Sequence, residues 1–236
     1  MAFWTSILIV ALVAYAGQIE RKAVLQAMLS RPIVTGAILG FLLGDLPSGL
    51  LLGVLLELLW LGGINIGANL PDNEVVGAGA VVGAAIIASG SQPVTPELAT
   101  LAVVLLSPLA RVGRHMDLAV ERRNKALLER VENQLSSKGT CSLGPIVILG
   151  LVSSALFSPL LTVGGAALGG LFLPVIVENL PSGALHGLAA AFPVLLAACA
   201  AASLASIRVD RAKALGLASA GLTLVVTLSY VLGTGS

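Results

Sequence analysis

The stretch Glu57-Leu-Leu-Trp-Leu-Gly-Gly-Ile-Asn65-Ile-Gly-Ala-Asn69-Leu-Pro-Asp72 places carboxylates and amides within a long apolar region of the chain. An ionisable side chain at membrane depth is costly, so it usually faces a cavity or another protein element. Glycine and proline interrupt the same stretch, which predicts a broken backbone whose own polar groups are available for binding, as at transporter sites. The stretch therefore predicts a polar binding site inside a membrane domain.

Composition indicates that the whole chain belongs to a membrane protein. Of its 236 residues, 57% are hydrophobic and 11% are charged, whereas about a quarter of the residues of a soluble domain are charged. The 27 glycines favour close packing of helices through small residues. The apolar runs are continuous and lack the period-two alternation of barrel strands. We predict an all-α polytopic membrane protein.

Basic residues are concentrated in a few places, and seven of the thirteen lie in the segment 111–138. Smaller clusters lie at 21–31 and 208–213. The positive-inside rule assigns all three to the cytoplasm, with the N-terminus of a retained first helix outside. The segment 111–138 is predicted to be an amphipathic helix on anionic lipid or a solvated loop, and a partner-docking surface is the alternative.

Two apolar segments, 33–44 and 49–61, are each too short to span a bilayer, and turn-forming residues separate them. They predict either one long kinked helix or a re-entrant hairpin of two half-spans. The hairpin is favoured because it gives an even number of crossings between the cytoplasmic clusters. For 143–177, two short spans and a second hairpin stay open. The remaining apolar segments are 2–19, 74–90, 97–110, 184–206 and 214–233.

The sequence Leu-Pro-Ser-Gly occurs at 46–49 and again at 180–183, each time between apolar runs. This recurrence predicts a diverged internal repeat, as in many transporters. The predicted fold is a helical bundle with re-entrant hairpins, organised as a first membrane half, a basic cytoplasmic linker and a second membrane half. Their bounds are 1–110, 111–140 and 141–236.

Four polar residues are the candidate substrate contacts. Glu57 is either an acceptor for hydroxyl groups of a polar solute or a structural carboxylate paired with Arg31 or capping a helix. Asn65 and Asn69 share a face if their segment is helical; their amides either bind the hydroxyl groups of a solute or serve as helix caps and left-handed turn residues. Asp72 is predicted to cap the following helix, a role that is compatible with ligand binding. The sequence contains no pattern that predicts a catalytic residue, a metal site or a cofactor.

An ordered set of motifs over about residues 30–80 resembles component IIC of the mannose/fructose/sorbose family of the bacterial phosphoenolpyruvate-dependent sugar phosphotransferase system. The motifs are Arg31-Pro-Ile-Val-Thr-Gly36, Leu43-Gly-Asp45, Gly53-Val-Leu-Leu-Glu57, Asn65-Ile-Gly-Ala68 and Pro71-Asp72. The resemblance implies an elevator-type carrier of the bacterial inner membrane whose core slides against a trimeric scaffold. It carries over Glu57, Asn65 and Asp72 as sugar contacts, whereas Asn69 departs from the small residue common there.

The resemblance also implies partners. These are a hexose-type sugar, a IID membrane subunit, and the IIA and IIB proteins that pass phosphate to the sugar, with membrane lipid around a trimer of heterodimers and no nucleic acid. The IIC chain itself carries no phosphate. Two other functions stay open from the residues alone: an ion- or proton-coupled carrier that titrates Glu57, and a non-transporting scaffold or regulatory protein that docks partners through 111–138.

Overall fold

The computed structural model describes residues 2–22, 27–61, 70–138 and 143–206, together with residues 214, 218, 221 and 222. This part of the chain forms eight α-helices. They are α1 Phe3–Lys22, α2 Pro32–Leu43, α3 Leu46–Trp60, α4 Glu74–Ser89, α5 Pro96–Leu106, α6 Leu109–Lys138, α7 Leu143–Asn179 and α8 Ser182–Ser206. Within the described residues, four helical stretches are long and apolar enough to cross a membrane: Phe3–Lys22, Pro96–Asn133, Leu156–Asn179 and Ser182–Ser203. The chain is an all-α polytopic membrane protein.

Helices α2 and α3, of 12 and 15 residues, form a tight hairpin. Gly44 directly follows α2; its φ of 91° is left-handed and its N–H donates to the carbonyl of Gly40. Asp45 then caps α3 by accepting a hydrogen bond from the N–H of Ser48, at 3.1 Å. The alternative prediction of one long kinked helix is therefore wrong, because α2 ends and α3 begins at this turn and each helix end has its own cap. At about 1.5 Å per residue, neither helix reaches across a bilayer core. That the hairpin is re-entrant stays a prediction.

Glycines set the close spacing of the hairpin. Gly36 and Gly40 of α2 face Gly49 and Gly53 of α3 backbone to backbone, and a Cβ at Gly40 would lie 2.9 Å from the Cα of Gly49. Small residues of this kind let helix backbones approach where lipid supplies no hydrophobic drive for association.

The tip of the hairpin is fastened to the loop between α4 and α5. Asp45 Oδ2 accepts a hydrogen bond from the N–H of Val94, at 3.2 Å. The opposite end of the bundle is where α1 and α3 end and where α2 and α4 begin. Because Arg21, Lys22 and Arg31 lie there, we call it the basic end.

Helix α4 is the centre of the bundle. Its residues from 75 to 86 are all buried, and it packs most extensively against α7 and also contacts α1, α2 and α3. A helix that is apolar on every side is buried on every side. The small residues of its Val-Gly-Ala-Gly-Ala sequence let these neighbours approach closely.

The segment 143–177 forms neither two short spans nor a hairpin, so both interpretations are wrong. It lies within α7, one helix of 37 residues with Pro159 and Pro174 inside it. Three glycines of this segment, Gly165, Gly169 and Gly170, pack against neighbouring helices and form no turn. A Cβ at Gly165 would lie 2.9 Å from the Cβ of Ala80, and one at Gly169 would lie 2.8 Å from Leu106 Cδ1. Proline is tolerated because neighbouring helices and local adjustments satisfy the freed backbone groups.

The segment 111–138 is helical as part of α6, so the solvated-loop interpretation is wrong and the helical one is correct. Its contact with lipid stays a prediction. The two Leu-Pro-Ser-Gly sequences each lie where one helix gives way to the next. Their glycines differ in packing: Gly49 is pressed against α2, while a Cβ at Gly183 would meet none of the described atoms within 4 Å. The internal repeat stays a prediction.

Candidate functional site

An ion-pair cluster at the basic end joins three helices through Arg31, Glu57 and Glu74. Arg31 precedes α2, Glu57 lies in the last turn of α3, and Glu74 begins α4. Arg31 Nη1 lies 3.4 Å from Glu57 Oε1 and 3.7 Å from Glu74 Oε2. Glu57 Oε2 also accepts a hydrogen bond from the N–H of Ile33, at 3.4 Å. Since the first N–H groups of a helix lack partners within it, the carboxylate of α3 caps the start of α2.

The structural alternative for Glu57, pairing with Arg31 and capping a helix, is thus present in the structure. The Glu57 side chain still keeps 18% of its surface exposed, and that of Arg31 keeps 40%. A carboxylate has about four acceptor positions on its two oxygens. Two contacts therefore leave Glu57 able to accept from a ligand hydroxyl.

A cavity of about 340 Å³ lies at the same end of the bundle as this cluster. Helix α3 contributes residues to both, and Asp72 of the cavity lies two residues before Glu74 of the cluster. The lining residues of the cavity come from the end of α3, the segment before α4 and the junction of α5 with α6: Leu59, Trp60, Asp72, Ser107, Pro108 and Arg111. The volume is at the lower end of the range for small-molecule sites, about 300–1,000 Å³. The lining combines an indole, a carboxylate, a hydroxyl and a guanidinium, which suits a small polar solute.

Trp60 reaches the cavity because α4 carries a glycine opposite it. A Cβ at Gly77 would lie 2.9 Å from Trp60 Cζ2 and 3.0 Å from the Cβ of Ala110. Any larger residue at position 77 would displace the indole ring.

Asp72 does not cap α4, so that prediction is wrong; the next residue does. Asn73 Oδ1 accepts a hydrogen bond from the N–H of Val76, at 3.2 Å. Aspartate and asparagine are about equally good caps, so the sequence Asp72-Asn73 does not decide between them. With Asn73 as the cap, the half-buried side chain of Asp72 lines the cavity.

A buried polar network lies behind Asn73 and centres on Asp117 of α6, whose side chain is 2% exposed. Asp117 Oδ2 accepts hydrogen bonds from Arg21 Nη1 at 2.6 Å and from Asn73 Nδ2 at 3.0 Å. Its Oδ1 accepts from Gln18 Nε2 at 3.1 Å and from Ser158 Oγ at 3.3 Å. Helices α1, α6 and α7 and the segment before α4 are thereby joined by one carboxylate.

Sequence reasoning missed Asp117 because it lies among charged residues that suggest a solvated surface. One signal points to it: Ala110, Gly113, Asp117 and Val120 are spaced by three and four residues, and all four are buried. Such spacing places a residue on the packed face of a helix.

Three further polar residues lie in or beside the sequence motifs: Asn65, Asn69 and Asp45. Asn65 and Asn69 lie outside the described residues. Asp45 lies at the end of the bundle opposite the cavity, where its two hydrogen bonds close a turn and fasten a loop. Within the described part of the chain, histidine, cysteine and acidic side chains form no group of three that could hold a metal ion.

The chain matches the sequence profile of the family described as the PTS system sorbose-specific IIC component over residues 4–232. It therefore belongs to this family of phosphotransferase-system IIC components. Over 85 residues, 36% of this chain and 29% of the relative, it is 31% identical to the PTS system sorbose-specific EIIC component of Klebsiella pneumoniae.

Over 64 residues, 27% of this chain, it is 41% identical to a protein of Escherichia coli (strain K12) named "Putative N-acetylgalactosamine permease IIC component 2". That match spans 47% of the relative, so neither curated relative is matched over two thirds of its own length.

Two solved structures share the fold at 20% sequence identity. One is described as the structure of a membrane protein; it has a TM-score of 0.65, with 98% of this chain and 96% of that chain covered. The other is the cryo-EM structure of the mannose transporter ManYZ in complex with microcin E492 (MceA). It has a TM-score of 0.60, with 100% of this chain and 96% of that chain covered.

Proposed function

We propose that this chain is the sugar-translocating IIC permease subunit of a mannose-family phosphotransferase system. It holds the sugar within the membrane while a separate IIB protein phosphorylates it on the cytoplasmic side. The observation that carries the proposal is the cavity that Trp60, Asp72 and Arg111 line at the basic end of the bundle. A polar cavity at the end of the α2–α3 hairpin supports a substrate site there.

The chemistry of the lining matches that of a hexose. The Trp60 indole offers an apolar face to the C–H side of a sugar ring, while Asp72 accepts from hydroxyl groups and Arg111 donates to them. Glu57 supplies a further acceptor from the adjacent cluster. We propose Glu57, Asn65, Asn69 and Asp72 as the sugar contacts. A few placed polar groups of this kind orient a ligand in an otherwise apolar site.

The proposed partners are a IID membrane subunit and the IIA and IIB proteins, within a trimer of heterodimers in the bacterial inner membrane. The apolar surface of α8 supports burial against lipid or a membrane subunit. In the apolar stretch within Ser182–Ser203, only 11% of the residues are buried within this chain, and Val194 is 54% exposed. A large exposed apolar surface marks an interface. The division into 1–110, 111–140 and 141–236 belongs to the same proposal.

Paired substitutions test the sugar contacts. Glu57→Gln and Asp72→Asn each remove a charged acceptor at nearly constant shape, so we expect about a tenfold or greater loss of affinity, as for a hydrogen bond to a charged group. Affinity is measured in native membrane vesicles with labelled L-sorbose, D-mannose and N-acetylgalactosamine. Glu97→Gln is the matched control, since Glu97 lies in the first turn of α5, towards the end of the bundle that carries the Asp45 turn. Wild-type affinity in both variants for a sugar that the chain binds would contradict these contacts.

Energy coupling separates the proposal from the other transport function. Uptake that requires phosphoenolpyruvate and yields phosphorylated sugar is expected. Uptake that continues without phosphoenolpyruvate and stops when the proton gradient is dissipated would instead indicate a proton-coupled carrier. Absence of sugar binding together with retained binding of a cytoplasmic partner to α6 would indicate a scaffold.

A further inference from the structure

Two cavity residues from distant parts of the chain are held side by side by one backbone hydrogen bond. The N–H of Asn73 donates to the carbonyl of Ala110, at 2.9 Å. Asp72 directly precedes Asn73, and Arg111 directly follows Ala110. The bond therefore sets the register between Asp72 and Arg111, both of which line the cavity.

The side chain of Asn73 holds this register in place from behind. It has no exposed surface, and its Nδ2 donates to Gln18 Oε1 at 3.2 Å and to Asp117 Oδ2 at 3.0 Å. Gln18 in turn donates to the other oxygen of Asp117, at 3.1 Å, which closes a ring of three side chains. Gly113 leaves space for Asn73, because a Cβ at Gly113 would lie 2.9 Å from the Cβ of Asn73.

The position requires an amide. One group must accept from the N–H of Val76 while another donates to two acceptors, and asparagine is a short side chain that does both. Serine keeps the acceptor for the cap, but its single, shorter O–H cannot make both bonds that Asn73 Nδ2 donates. The substitution Asn73→Ser therefore changes the network and leaves the helix cap intact.

We propose that Asn73 and Asp117 are positioning residues for the cavity: they hold Asp72 in register with Arg111 and so set the affinity for the substrate without touching it. This inference rests on the proposed function for its affinity component. The geometric component, the register of residues 72 and 111, is independent of any sugar. Positioning groups of this kind matter because a binding site is precise only where its supporting contacts are fixed.

The test compares Asn73→Ser and Asp117→Asn with Thr95→Ser. Thr95 caps α5 through its side chain, at the other end of the bundle, and serine keeps such a cap. Two readouts are taken from the full chain in native membrane vesicles. The first is affinity for L-sorbose, D-mannose and N-acetylgalactosamine. The second is the rate at which a short bifunctional thiol reagent cross-links two cysteines introduced by Asp72→Cys and Arg111→Cys. The native Cys141 and Cys199 are replaced by alanine.

We expect both network variants to lose about tenfold in sugar affinity, which is about 1.4 kcal/mol, with maximal transport less affected than affinity. We also expect the cross-linking rate to fall at least threefold, while Thr95→Ser leaves both readouts unchanged. Lower thermal stability with wild-type affinity and wild-type cross-linking would overturn the proposal, since that pattern belongs to a merely structural network. If the wild-type chain binds none of the three sugars, the proposed function is contradicted for them, and the cross-linking rate still decides the positioning role.

Discussion

Gly49→Ala is expected to destabilise the hairpin, whereas the same change at Gly183, the equivalent residue of the second Leu-Pro-Ser-Gly sequence, is not. A Cβ at Gly49 would lie 2.6 Å from the Cα of Gly40 and 2.9 Å from its N. Carbon atoms in contact are normally about 3.5–4.0 Å apart, so α2 and α3 would have to separate by about 1 Å. A Cβ at Gly183 would meet none of the described atoms within 4 Å, so none of them opposes the added methyl group.

The magnitude follows from two opposing terms. Overpacking of this kind costs about 1–3 kcal/mol. Alanine gains up to about 1 kcal/mol of helix propensity over glycine, and this gain applies to the control as well. The difference between the two variants is therefore about 1–3 kcal/mol. At about 2–4 °C per kcal/mol for a chain of this size, Gly49→Ala should melt at least about 2 °C below Gly183→Ala.

Thermal unfolding of the two variants in the same detergent, followed by loss of the monodisperse species, measures this difference. Equal melting temperatures would refute the claim that direct backbone contact between α2 and α3 holds the hairpin together. A second refuting result would be a larger loss for Gly183→Ala, because it would show that the two glycines exchange the roles assigned to them.

Two further predictions concern the basic end. Gly77→Val should displace the Trp60 indole, because the indole leaves no space for a Cβ at position 77. We expect sugar binding to weaken at least about fivefold, as on loss of a packed aromatic contact. Unchanged affinity in a binding titration would show that the indole does not contact the sugar. Arg21→Gln should cost at least about 2 kcal/mol because it leaves the buried Asp117 charge short of its closest cation. Lys22→Gln should cost less than about 1 kcal/mol, since Lys22 lies 3.9 Å from Asp117 and otherwise pairs with a half-exposed carboxylate. Equal melting temperatures for these two variants would contradict the ranking.

The parts of the fold that could be predicted depend on neighbouring residues. The hairpin of α2 and α3 follows from the turn chemistry at 44–49, where the left-handed Gly44 and the Asp45 cap are local features. The single helix of α7 could not be predicted in the same way. Its glycines and prolines are also the residues of turns, and only the close approach of α4 shows that Gly165, Gly169 and Gly170 serve packing.

The candidate site divides in the same way. Glu57 and Asp72 were found because a carboxylate in an apolar stretch stands out by composition. Asp117 was not found, because an acid among charged residues is unremarkable until its helix packs. The cap of α4 is Asn73 and not the predicted Asp72; both residue types cap helices equally well, and the choice depends on what lies behind them.

The sequence by itself determined the membrane class, the turn between α2 and α3 and the family motif with its acids, because these follow from composition and from interactions between near neighbours. The tertiary structure decided that Glu57 forms an ion pair with Arg31, that Asp72 lines a cavity and that Asp117 accepts a hydrogen bond from Asn73. Asn73 and Asp117 are 44 residues apart, and Gln18 and Asp117 are 99 apart. Hydrogen bonds over such separations form only when packed helices bring the partners together, so no local pattern specifies them.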